Sequence, residues 1–298
     1  MRSEKKVAYC ILHYQNIDMT IDCVESIIDS NRDNHFYQVV LVDNGSPNKS
    51  GAVLKDRYKD IDEVTVICNE ENLGFAKGNN VGYKYAREEL HSELIVIMNS
   101  DMIVNEDFCA DRIYKEASHY SCEIIAPDII NKQGYHQNPL LIKPYPISTY
   151  LMSVVKNSIW YTGVSCPIIG QRVYELYSKK NNDNSRYKDN VQIFDENTFV
   201  PHGSCLIFTN DWIRKEDNAF LPITFLYNEE EILYAYVHAK GYSIKYCPKL
   251  KLNHLEDGSL DYEYSVGKKK LRFLCVQQNK SIMKLLQTRL KAKLGTLC

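Results

Sequence analysis

Short β-rich apolar runs alternate with helical patterns through the first hundred residues, and this alternation restricts the chain more than any other feature. Val7–Leu12 reads as a buried strand, Met19–Ser30 as a helix with Ile21, Val24, Ile27 and Ile28 on one face, and Gln38–Val42 as a second strand. A helix over Val53–Tyr58, a strand at Val64–Cys68, a helix from about Lys77 to Leu90 and a strand at Leu94–Met98 follow. Repeats of this kind predict βαβ units, a mainly parallel sheet flanked by helices and right-handed crossovers, that is, an α/β fold. Past Glu123 the regularity weakens. Residues Asn131–Asn197, which include Pro139, Pro144, Pro146 and Pro167, read as an insertion. Within it, helices are expected at Ser148–Ile159 and Gln171–Lys179, and a mobile surface loop over Lys179–Asn190. Order returns with Cys205–Phe208, a helix over Glu229–Ala239 closed by Gly241, and a strand over Ser243–Cys247.

Composition narrows the class of partner. With 44% hydrophobic and 25% charged residues the 298-residue chain is of ordinary globular type. Its net charge of -2 gives no basis for a nucleic-acid partner, which calls for a basic surface. The charge is unevenly placed, because from Tyr264 onward there are nine Lys and Arg and no acid. In the same stretch Leu271, Leu274, Cys275, Ile282, Leu285, Leu286, Leu290 and Leu294 recur mostly at three- and four-residue intervals. Residues 264–298 therefore read as a basic amphipathic helical tail beyond a globular body at 1–263. Two roles stay open for it: docking on an anionic membrane surface, or packing its stripe on the body. Ten cysteines scattered singly through apolar runs read as buried thiols in a reducing, cytoplasmic compartment. No run approaches the roughly 20 apolar residues that cross a bilayer, so membrane contact is expected to be peripheral, at the inner face.

In open α/β sheets ligands gather at the carboxyl ends of strands. Asp43 ends one strand and opens the turn Asp43-Asn44-Gly45-Ser46, where it reads equally as a contact for a base or ribose and as a turn initiator. The stretch Asn72–Gly82 places glycines before a helix start, a pattern that serves phosphate binding or simple capping. Asn99-Ser100-Asp101 delivers an amide and a carboxylate two positions apart at a third strand end. That sparse oxygen set suits Mg or Mn, and it suits a helix cap as well. Glu229, Glu230 and Glu231 open a helix, where they complement its dipole or supply a base. His254 follows the strand-like run Lys249–Leu252.

The segments VVLVDNGS, NLGFAKGNNVG, IVIMNSD, FLYNEEEILYAYVHAKGYSIKYCP and NHLEDGS stand in an order and spacing that resembles the family 2 inverting glycosyltransferases of the GT-A fold. The resemblance runs from about Lys6 to Ser259 and is similar to the bacterial polysaccharide-building branch, which includes rhamnosyl- and galactofuranosyl-transferases. It implies transfer of a sugar from a nucleotide-diphosphate sugar donor to a hydroxyl of a glycan or lipid-linked oligosaccharide, in capsule or O-antigen synthesis. Within the family pattern Asp43 matches the acid at the nucleotide's base, and Asn72, Gly74 and Asn80 match the loop around the nucleotide. Tyr14, Asn99, Ser100 and Gly203 fall in the same nucleotide-sugar site. Asp101 matches the last acid of the DXD metal motif, whose first acid is here Asn99, and His254 matches a histidine that completes the Mn or Mg site. Glu229 and Glu230 match the family's Glu-Asp pair; its second position is the usual base, which points to Glu230, with Glu229 the alternative.

Other classes fit less well. A sugar-nucleotidyl transferase would carry a glycine-rich basic loop after the first strand, and a dinucleotide-dependent oxidoreductase would carry GxGxxG there. This chain has Leu12-His13-Tyr14-Gln15-Asn16 instead. A non-catalytic glycan-binding or scaffold protein is the remaining alternative, and the acids at 101, 229 and 230 oppose it.

Overall fold

The computed structural model describes residues 7–32, 36–180, 198–256 and 267–297. The elements are β1 (Val7–His13), α1 (Ile17–Ser30), β2 (Tyr37–Asp43), α2 (Ser50–Arg57), β3 (Val64–Cys68), α3 (Gly74–Glu88), β4 (Leu94–Asn99), β5 (Met102–Ile103), α4 (Ala110–Ala117) and β6 (Ile124–Asn131). After them come α5 (Ile147–Ser165), α6 (Gly170–Lys180), β7 (Cys205–Phe208), a single turn α7 (Asn210–Ile213), α8 (Glu229–Lys240), β8 (Ile244–His254) and the C-terminal helix α9 (Lys268–Lys293). One eight-stranded sheet holds the order β3-β2-β1-β4-β7-β6-β8-β5. The first four strands are parallel, as the sequence pattern predicts. β7 then enters antiparallel between β4 and β6.

Strand periodicity explains why β1, β2 and β4 are apolar without alternation. Val7, Tyr9, Ile11, Val39, Leu41, Val96 and Met98 face one core with Val24, Ile27 and Leu54. Their neighbours Ala8, Cys10, Val40, Val42, Ile95 and Ile97 face a second core with Tyr83, Trp212 and Leu233. Helices cover both faces, so neither side of these strands can be polar.

The second half departs from expectation in informative ways. No strand is expected at Ile124–Asn131, because Pro127 and Asp128 interrupt it. The sheet accommodates them with an irregularity: β6 pairs with β8 up to Pro127↔Cys247 and resumes at Asp128↔Lys251. The same break absorbs Pro248, so the two short runs expected at Ser243–Cys247 and Lys249–Leu252 form one strand. α3 begins at Gly74, three residues before the expected start, and α5 extends past Ile159 to Ser165. The loop expected over Lys179–Asn190 lies, from residue 181 on, outside the described residues, as does the boundary expected after residue 263.

The apolar stripe of α9 is used internally up to Leu286, while Leu290 and Leu294 near its end stay exposed. Leu271 and Cys275 cluster with Val164 of α5, while Ile282 and Leu285 join Tyr150 of α5 and Ile232 of α8. Of the two roles left open for the tail, packing on the body is the one this stripe performs. Among the described residues all cysteines are free, and no helix is long and apolar enough to cross a membrane.

Candidate active site

The carboxyl ends of β1, β2 and β4 lie side by side, with His13 opposite Asp43 and Leu12 opposite Asn99. His13 is fully buried between Thr20 Oγ1 and Ser50 Oγ, each 2.7 Å away, and burial drives its pKa down to about 4. It is therefore a neutral structural post behind Asp43. Asp43 is buried, its pKa is raised by burial, and one oxygen accepts from Ser46 N at 3.3 Å. The turn-forming reading thus accounts for one oxygen. The other lies over Gly51, where a Cβ would approach to 2.1 Å, so only glycine leaves the carboxylate its seat. Tyr14 is half-buried just past β1.

Asn72 does not stand free in its loop. Its Oδ1 accepts from Gly74 N at 2.9 Å and from Asn44 Nδ2 at 3.0 Å, and Asn44 Oδ1 accepts from Leu73 N at 3.1 Å. Asn44, which the sequence reading passed over, thereby ties the Asp43 turn to the Asn72 loop. Gly74 has φ +78° and touches Phe225, whose carbonyl accepts from Phe75 N at 2.7 Å. Gly78 and Gly82 let α3 lie close on Leu12, Cys10 and Val42. These glycines serve helix–sheet contact first. Asn80 is buried with both ends of its amide on Phe220, donating to the carbonyl at 2.8 Å and accepting from the amide at 3.0 Å. The amide of Asn80 is thus engaged in a clamp on the Phe220 backbone.

Around Asp101 the pattern is different. Asp101 is buried, its Oδ1 has no hydrogen-bond partner, and its Oδ2 lies 3.2 Å from His254 Nε2. The other ring nitrogen, Nδ1, lies 2.7 Å from Gln137 Oε1, and Gln137 Nε2 donates to Glu256 at 2.6 Å. Because Glu256 only accepts, Gln137 must turn its oxygen to His254, and Nδ1 must carry a proton. Nε2 is thereby aimed at Asp101. A spacing of 3.2 Å suits a proton shared between them, and it also suits adjacent ligands of an octahedral ion with bonds of about 2.1 Å, which stand about 3 Å apart. The orphaned Oδ1 and the oriented imidazole fit a hard divalent cation, with Gln137 and Glu256 as the outer partners that fix the ring. Among the described residues no three His, Cys, Asp or Glu converge, so such an ion would need further oxygens from a ligand. Asn99 contributes backbone here, its N–H donating to Ser204 O at 2.8 Å, and Ser100 sits half-buried in the following turn.

The acids of α8 are distinct from one another. Glu231 is bound by Tyr150 Oη of α5 and, at 2.9 Å, by Asn228 Nδ2. Glu229 is buried, with Oε1 unpaired, and burial together with the neighbouring Glu230 pushes its pKa up to about 8. Glu230 keeps partial solvent exposure where Glu229 does not, and burial raises its pKa while the Gly203 N–H opposes the rise. Its carboxylate occupies the space a side chain at 203 would take, since a Cβ there would meet Oε1 at 2.4 Å. The helix is entered through Tyr227 and Asn228, both left-handed at φ 77° and 63°. Such non-glycine strain collects at functional turns. Ser281 Oγ of α9 holds the Leu226 carbonyl, and Phe273 of α9 meets Phe225 edge-on at 6.3 Å.

One segment joins the two acidic groups. The ring of His202 lies 5.5 Å from that of His254, Gly203 faces Glu230, and Ser204 bonds Asn99. His202 itself, absent from the sequence-derived site, is half-buried, and desolvation and the adjacent His254 push its pKa down to about 3. A histidine between Pro201 and Gly203 is the sequence signal it offers.

Comparison with known proteins bears on this arrangement. The family model described as glycosyl transferase family 2 matches residues 9–215, more than half of the chain. It contains Asp43, Asn72, Asp101 and Gly203 and stops short of Glu229, Glu230 and His254. A low-salt glycan biosynthesis hexosyltransferase, Agl10 of Haloferax volcanii, is 30% identical over 118 residues, 39% of this chain and 35% of that protein. The dTDP-rhamnosyl transferase RfbF of Shigella flexneri is 31% identical over 106 residues, 34% of this chain and 32% of that protein. The matched stretches span about a third of the length of these relatives. Among solved structures, S. aureus TarS in complex with UDP superposes with a TM-score of 0.52 at 12% identity, covering 96% of this chain and 71% of that one. With the mixed sheet described above, this likeness gives the chain the α/β architecture of the GT-A fold.

Proposed function

The chain belongs to glycosyl transferase family 2, and from that premise we propose that it transfers a sugar from a nucleotide-diphosphate sugar to a glycan or lipid-linked glycan hydroxyl, with inversion, in surface polysaccharide synthesis. The observation that carries the reading is the His202–Ser204 segment, which touches the Asp101–His254 pair on one side and Glu230 on the other. A diphosphate-binding corner and a candidate base are thereby held in one site.

Asp43 would accept from the nucleotide, held in place by Gly51 and Ser46. Asp101 and His254 would hold a Mn or Mg ion, which supplies Lewis-acid neutralisation of the departing diphosphate. Glu230 is the base in this reading. Burial raises its basicity, and of the two candidates it is the one that keeps partial solvent exposure. Glu229 exposes less surface than Glu230, and burial together with the neighbouring Glu230 favours its protonated form, which suits it less to the role. Glu230 takes the proton from the acceptor hydroxyl as that oxygen attacks the anomeric carbon from the face opposite the nucleotide, and a single displacement inverts the centre.

The acceptor reading has its own support. A cleft of about 660 Å³ adjoins Leu73, Thr224 and Phe225, and Lys77, Lys280 and Lys284 line it with no acid among the lining residues. Such a lining favours an acceptor that carries phosphate. The test is a screen of nucleotide release across the common nucleotide sugars, with and without Mn or Mg. Turnover of one donor, dependent on the ion and abolished in Glu230→Gln, is expected. Full turnover in excess chelator would remove the ion from the mechanism.

A further inference from the structure

Helix α5 has two unlike faces. Inward, Tyr150 and Val164 are buried against α8 and α9, and Asn157 Nδ2 donates to Asn279 Oδ1 at 3.1 Å. Outward, Leu151, Met152, Val155 and Ile159 are 50–68% exposed, and the following turn exposes Ile168 at 90%. Single exposed apolar residues need no explanation, but four on one helix face form a patch that does.

We propose that this face of α5 seats the protein on an anionic lipid bilayer, with the lysines of α9 supplying the attraction. The charge pattern selects the occupant. Neither helix contains an acid: α5 has Lys156 alone, and α9 carries nine Lys and Arg. Lys280 lines one crevice with Ser158, Tyr161 and Thr162, so a cation of α9 borders α5 directly. An apolar face flanked by cations is the form of a helix that lies in the plane of a membrane interface. A second copy of the chain is the poorer partner. Apposing the same face twofold would bring two acid-free cationic helices together. The assignment also divides the work expected of the tail, because Leu271, Cys275, Ile282 and Leu285 of α9 are buried in the fold while the larger exposed apolar face belongs to α5. It does not depend on the transfer reaction. Lys280 also lines the cleft beside Phe225.

The test is co-sedimentation of the full chain with vesicles of phosphatidylglycerol and phosphatidylcholine, or of phosphatidylcholine alone, at low and high salt. The protein is expected to pellet with the anionic vesicles, to be released by salt and to ignore the neutral ones. The combined variant Leu151→Gln, Val155→Gln and Ile159→Gln alters exposed sites only and should lower binding about ten-fold or more at an unchanged unfolding temperature. Leu151→Gln alone should lie between the two, which guards against a folding defect in the triple variant. Wild-type protein that stays in solution with anionic vesicles at low salt, or a triple variant that pellets equally well, overturns the proposal. So does a concentration-dependent dimer that the triple variant abolishes without any vesicle binding, since the occupant would then be a second copy.

Discussion

Gly203→Ala is the sharpest probe of the assignment of Glu230. Gly203 does not adopt a left-handed φ, so alanine is allowed by its backbone and the glycine is there for room. A Cβ would stand 2.4 Å from Glu230 Oε1 and 2.9 Å from the carboxyl carbon. Ordinary contact begins at about 3.4 Å, so the carboxylate must retreat by about 1 Å and give up its bond from the Gly203 N–H. A misplacement of about 1 Å in a reacting group costs on the order of 100-fold in rate, or about 3 kcal/mol of barrier. The prediction is therefore a fall of about 100-fold in kcat, with the KM for donor nearly unchanged. Steady-state nucleotide release gives both constants, and scanning fluorimetry shows whether the fold persists. In a Glu230→Gln background the same substitution should add little, because the two changes act on one group. Wild-type kcat in Gly203→Ala, or a loss confined to donor KM, would refute the reasoning.

Three further outcomes are expected. Glu229 has a pKa of about 8 in the folded chain against an ordinary 4.5, so the folded state holds a proton that the unfolded state releases. Stability should accordingly fall as pH rises from about 4.5 to 8, and Glu229→Gln should flatten that decline in unfolding temperature; an identical pH profile would count against the shift. Gln137→Ala removes the partner that orients His254 and should weaken Mn binding about 10- to 100-fold in a paramagnetic-resonance titration, while unchanged affinity would detach Gln137 from the ion site. Asn80→Ala severs two buried bonds to Phe220 and should cost about 2–3 kcal/mol of stability at constant donor KM. A raised KM with unaltered stability would return Asn80 to the nucleotide loop.

What the sequence made legible follows from burial. β1, β2 and β4 are covered on both faces, so their apolar runs are unbroken and stop at the polar residues that matter, Asp43 and Asn99. β6 was invisible because Pro127 and Asp128 contradict a strand unless an irregularity in the partner, opposite residues 248–250, is known in advance. The acids of the site were legible as a set, but their division was not. Only packing against Gly203, Tyr150 and the interior distinguishes Glu230, Glu231 and Glu229. Gln137 and His202 escaped notice because an orienting amide and a half-buried imidazole leave no periodic or motif signal. Asn44 and Asn80 show the converse difficulty, since an asparagine near a ligand loop has the same letter whether it faces the ligand or the backbone.

The position of β7 bears on the order in which the molecule can be assembled. β6 is complete at residue 131, yet its only neighbours in the sheet are β7 and β8, which begin at residues 205 and 244. During synthesis from the N-terminus, β1 to β4 can close their crossovers from local sequence as they emerge. β6 must wait more than seventy residues for an edge to join, and pairings across such separations form slowly. The half-sheet that ends in Asp43 and Asn99 is thus a template already in place when the strand and helix that bring Gly203 and Glu230 arrive. Pulsed hydrogen exchange during refolding should find the amides of β1 and β2 protected before those of β6, and simultaneous protection would show that the two halves form as one.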